Sequence, residues 1–160
     1  MIFRSYRRLR KFVKSPRQYL RDARLKRQIP NLQEARESLY AARVAIESGA
    51  TELAWTLLEG VPPQAAEKWC LEAMLALYSG EYERSEQLAS HAMQLSYPDS
   101  SEFRTAFYIF HEALRFQSKF AQSLAVLIDP PFKDQSARYF AALRLGCLGA
   151  GDLGTCERVL

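Results

Sequence analysis

The side chains best suited to covalent or metal chemistry in this 160-residue chain are Cys70, Cys147, Cys156, His91 and His111. Their spacing assigns them none. The cysteines form no Cys-x-x-Cys pair, and an odd number of them does not make a disulfide framework, so they read as reduced thiols of a helical core. A zinc site on one helix needs two histidines a turn apart, and after His111-Glu112 the second place is held by Arg115. Glu81, Glu83 and Glu86 fit a solvated helix face better than a general acid–base pair. No Gly-x-Ser-x-Gly, P-loop or dinucleotide glycine fingerprint occurs. The chain is therefore expected to be no enzyme by itself, with no metal and no cofactor.

With 48 % hydrophobic residues, seven Gly and seven Pro, the composition is that of one globular domain. No apolar run reaches the roughly 18 residues of a membrane span, and no export signal follows the basic N-terminus. The charge is divided unevenly. Residues 1–27 carry eleven basic side chains and one acid, a net +10, whereas the other 133 residues carry eleven basic and seventeen acidic groups, a net −6. A cationic leader on an acidic body points to an anionic partner for the leader.

The leader, residues 1–30, has a helical period. At about 100° per residue, Ile2, Tyr6, Leu9 and Val13 share a stripe edged by Phe3 and Phe12, opposite Arg4, Arg7, Arg8, Lys11 and Lys14. Ser15-Pro16-Arg17-Gln18 then reads as the start of a second helix. Such a segment suits an anionic bilayer surface, with aromatic anchors in the interface and cations on headgroups. The expected membrane-binding set is Phe3, Arg4, Tyr6, Arg7, Arg8, Leu9, Arg10, Lys11, Phe12, Lys14 and Arg17. Docking of the apolar stripe on the acidic body is the second possibility. No nucleic-acid readout motif accompanies the charge, so no specific nucleic acid is expected.

The body, residues 31–160, repeats. Four similar junctions align on Gly49, Gly80, Ser118 and Gly151, at spacings of 31, 38 and 33 residues. Each follows one apolar-periodic helix and precedes another, with a small residue five places on: Ala54, Ser85, Ser123 and Cys156. Helices are expected over 32–48, 51–60, 64–79, 81–96, 100–117, 119–128, 134–149 and 152–160. Asn31-x-x-Glu34 and Asp99-x-x-Glu102 fit capping boxes. No long alternation of period two indicates a sheet.

The stretch Trp69, Ala73, Gly80, Tyr82, Ala92 and Pro98 resembles a tetratricopeptide repeat. The resemblance implies an all-α, right-handed solenoid of about four helix hairpins, preceded by one or two basic amphipathic helices. It also implies a concave groove lined by the first helix of each hairpin. Carried over position by position, the groove takes Arg36, Leu39 and Arg43, then Cys70, Met74 and Tyr78, then Tyr108, Glu112, Arg115 and Phe116, then Arg138. Arginines among tyrosines and a methionine suit a protein or peptide partner with an acidic group. Val159-Leu160 would leave an apolar end face, so a longer protein, a partner or a second copy is expected to cover it.

The leader from Tyr6 to Arg27, through Leu9-Arg10-Lys11-Phe12, Pro16, Tyr19 and Arg21-Asp22, resembles the short basic leader of bacterial capsule and surface-polysaccharide biosynthesis proteins, glycosyltransferases among them. That resemblance implies a non-catalytic targeting module, peripheral on the cytoplasmic face of the bacterial membrane. Two alternatives stand beside it: the front part of a membrane-associated glycosyltransferase, and a soluble peptide-binding adaptor or chaperone.

Overall fold

The structure, a computed structural model, describes residues 32–128, 130, 137–152 and 154. They form seven helices: α1 Leu32–Glu47, α2 Thr51–Glu59, α3 Ala66–Tyr78, α4 Tyr82–Leu95, α5 Ser101–Phe116, α6 Phe120–Ile128 and α7 Ala137–Ala150. No strand occurs among the described residues. The expected bounds hold to within one or two residues for α1 to α6. The expected leader helices, the start of the helix expected from 134 and almost all of the one expected over 152–160 lie outside the described residues.

The four junctions share one backbone geometry. Gly49, Gly80, Ser118 and Gly151 all lie in the left-handed region, with φ of +78°, +79°, +60° and +71°. At each, the turn residue's N–H bonds the carbonyl three residues back, and the next N–H bonds the carbonyl five back. The pairs are Gly49 to Ile46 with Ala50 to Ala45, Gly80 to Leu77 with Glu81 to Ala76, Ser118 to Arg115 with Lys119 to Leu114, and Gly151 to Leu148 with Asp152 to Cys147. This is the Schellman ending, which satisfies carbonyls that a helix end leaves open. It reverses the chain so that the next helix runs back along the first.

Five places after three of these turns, Ala54, Ser85 and Ser123 are wholly buried. A small side chain there lets the returning helix approach its partner closely. Hence α1 pairs with α2, α3 with α4 and α5 with α6; across the intervening connections α4 packs on α5 and α6 on α7. Each odd helix also packs on the next odd one: α1 on α3, α3 on α5, α5 on α7. The core follows that row. Leu39, Ala42, Ile46, Leu58, Leu71 and Leu75 fill the first interface. Phe103, Phe107, Leu124, Leu127, Leu143 and Cys147 fill the last.

One cap differs from expectation. The N-cap of α5 is Ser100, not Asp99. Ser100 is extended at φ −82°, ψ 155°, and its Oγ accepts the Phe103 N–H at 3.1 Å. A cap must hold the last extended residue before the helix, and that is one place later than the spacing to Glu102 implied. Asn31, the other expected cap, lies outside the described residues.

Candidate functional site

Helices α1, α3 and α5 stand side by side, and a cleft of about 190 Å³ opens across them. Arg43, Ile46 and Glu47 come from the last turn and a half of α1. Glu67, Cys70, Leu71 and Met74 come from the first two turns and more of α3, and Ser101, Glu102 and Thr105 from the start of α5. The helices are staggered. Arg43 bonds Glu67 at 2.6 Å, 24 residues on, whereas the repeat there is 31. The Cys70 thiol donates to the Glu102 carbonyl at 3.3 Å, 32 residues on, where the repeat is 38. At these two contacts the partner on α3, and then on α5, lies six or seven residues closer to its helix start than the repeat spacing would place it.

That stagger decides which expected groove residues come together. Arg43, Cys70 and Met74 line the cleft. Arg36 is exposed on the first turns of α1, Leu39 is in the core, and Tyr78 is 67 % exposed at the far end of α3. Glu112 and Arg115 pair with each other on α5 through two hydrogen bonds, of 3.0 and 2.7 Å, to Glu112 Oε2. Phe116 stacks on Tyr82 at 5.1 Å with the Arg115 guanidinium over its ring. Tyr108 corrects the expectation: it is buried in the core with Phe103, Phe107 and Tyr139. The reason is that α5 has α3, α4, α6 and α7 packed around it, which leaves little free face. Arg138 belongs to α7, and its side chain lies outside the described residues. So do the eleven membrane-binding residues of the leader.

The cleft's charged lining is Arg43, ion-paired with Glu67, together with Glu47 and Glu102, beside the apolar side chains of Ile46, Leu71 and Met74. Burial pushes the Cys70 thiol up to about 12, and the Glu102 and Glu67 charges add to that, so the reactive thiolate is disfavoured at neutral pH. The volume is below the roughly 300–1,000 Å³ of small-molecule pockets and suits one long side chain.

Of the three glutamates, the sequence singles out only Glu102, for a capping box, and Glu47 and Glu67 carry no motif. The only sequence signal for them is the spacing of opposite charges between helices, as in Arg43 and Glu67. Among the described residues no three His, Cys, Asp or Glu side chains gather as metal ligands, and no helix is long and apolar enough to cross a membrane. Comparison with known proteins finds no significant match among family models, curated proteins or solved structures.

Proposed function

We propose that this chain is a non-catalytic interaction module: a tetratricopeptide-like stack of helix hairpins that holds a peptide across its odd-numbered helices, with a leader that stands on an anionic membrane surface. The single observation that carries the peptide part is the cleft shared by α1, α3 and α5. The solenoid reading is supported by the identical left-handed turn at four junctions and by the row of odd helices packed each on the next. The membrane part rests on the leader's +10 charge and aromatic stripe. Its likeness to the leaders of capsule and surface-polysaccharide proteins supports a place at the cytoplasmic face of a bacterial inner membrane, in polymer assembly.

The test is sedimentation with vesicles containing anionic phospholipid. A cation near such a surface contributes on the order of 1 kcal/mol. Replacing Arg7, Arg8, Arg10 and Lys11 together by Gln is expected to weaken vesicle binding by roughly a hundredfold or more. Unchanged binding would refute the membrane part of the reading.

A further inference from the structure

We propose that His111, Glu112 and Arg115 form a proton-operated relay from the interior of α5 to the exposed Tyr82–Phe116 stack. The His111 ring is wholly buried. Its Nδ1 faces Ser123 Oγ at 2.7 Å, and its Nε2 has no hydrogen-bond partner among the described residues. Glu112 Oε1 stands 3.9 Å from that Nε2, too far for a hydrogen bond. The other carboxylate oxygen, Oε2, accepts both bonds from Arg115, at 3.0 and 2.7 Å. The same guanidinium lies 4.6 Å from the centre of the Phe116 ring, and Phe116, 48 % exposed, stacks on Tyr82 at 5.1 Å. One carboxylate thus faces a buried ring with one oxygen and a surface cation with the other.

A protonated imidazole carries N–H on both nitrogens, whereas a neutral one leaves one nitrogen bare. When the ring takes a proton from solvent, Nδ1–H donates to Ser123 Oγ and Nε2–H donates to Glu112 Oε1. A charge-assisted bond of that kind is about 2.8 Å long, so the carboxylate moves inward by about 1 Å. Arg115, tied to Oε2, is drawn across the Phe116 face, and the Tyr82–Phe116 stack changes with it. The charges that act on the ring are Glu112 and Arg115, both from α5. From α6 it meets the neutral Ser123. On α3 and α4 the charged groups are engaged elsewhere: Lys68 with Glu72, Glu86 with Lys119, and His91 against Trp69. On α7 the side chains of Arg138 and Arg144 lie outside the described residues. Burial opposes a charge on the ring and Arg115 adds to that, while Glu112 favours the charge. The proton therefore arrives only in acid, where a buried histidine serves as a switch.

The experiment titrates the full chain from about pH 8 to about pH 4.5 by NMR, with the His111 ring, the Arg115 Nε–H group and the Tyr82 ring as reporters. Far-UV circular dichroism on the same samples follows the fold. All three reporters are expected to move with one midpoint while the dichroism stays constant. Glu112→Gln keeps the side chain's shape and removes its charge. It should lower the His111 midpoint by about half a pH unit or more and leave Arg115 and Tyr82 still when the ring titrates. Arg115→Gln removes the like charge and should raise the midpoint. Loosening of the helix end alone would shift both variants the same way, so midpoints moving in one direction would overturn the relay. So would Arg115 and Tyr82 signals that stay still in the unaltered protein while His111 titrates. A ring that remains neutral across the range, or a chain that unfolds before the ring titrates, would overturn it as well.

Discussion

Ser123 Oγ lies 2.7 Å from Nδ1 of His111, twelve residues earlier on the partner helix. One repeat before, Ser85 spans the same twelve residues and donates its hydroxyl to the Ala73 carbonyl at 2.8 Å. The first repeat has Ala42 and Ala54 at these places, both wholly buried. A single packing contact between paired helices is therefore made in three ways, and only the third contains a titratable ring.

That ring makes the α5–α6 pair sensitive to acid. His111 is wholly buried, and its Nε2 has no hydrogen-bond partner among the described residues. Burial pushes the imidazole below its ordinary range. The nearby Glu112 carboxylate and the Ser123 bond oppose that shift, and Arg115 adds to it. With the folded value below the unfolded one of about 6.5, the unfolded chain takes up the proton first as pH falls. The contribution is complete above about pH 6.5 and is lost below it, until the folded ring also protonates. His111→Ala, which restores the residue type of the other repeats, is expected to cost about 1–3 kcal/mol at pH 7.5 through the space it opens. It should also flatten the fall in stability between pH 6.5 and 5. Urea titrations across that range check both, and an unaltered pH slope would contradict the assignment.

Ser118 holds a left-handed conformation without being glycine. That conformation costs an ordinary residue roughly 1–2 kcal/mol, partly offset by the greater freedom glycine has in the unfolded chain. Ser118→Gly is expected to stabilise the protein by about 0.5–1 kcal/mol, and Gly80→Ala to destabilise it by about 1 kcal/mol. Thermal melts should move in opposite directions for the two, although the turns they occupy are alike.

Two glycines of α7 should respond oppositely to alanine. A methyl group on Gly149 would sit 2.5 Å from Cδ1 of Phe120, with two more ring atoms at 3.0 and 3.1 Å. The ring must move, at a cost of about 1–3 kcal/mol. On Gly146 the nearest atom is Leu127 Cδ1 at 3.4 Å, an ordinary contact, so the better helix propensity of alanine prevails, by up to about 1 kcal/mol. Chemical denaturation of the two variants provides the comparison. Adding Phe120→Leu should recover part of the loss at Gly149.

The helix pairs were legible from residues alone because their causes are local. Gly49, Gly80 and Gly151 mark turns that most side chains enter only at a cost. Ser118 could be aligned with them because its flanking helices have the same period and the small residue recurs at Ser123. Ala54, Ser85 and Ser123 could be named as close-packing positions for the same reason. The cleft could not be named in this way. Arg43 meets Glu67, and Cys70 meets Glu102, only because α3 and α5 are each displaced along the row by nearly two turns. That displacement is settled by how whole helix faces pack, and no single repeat encodes it. Likewise, whether Tyr108 faced a groove or the interior depended on how many neighbours surround α5. Short-range periodicity determines which residues share a helix face. Only the assembled stack decides which faces meet, because burial is a property of all the neighbours together.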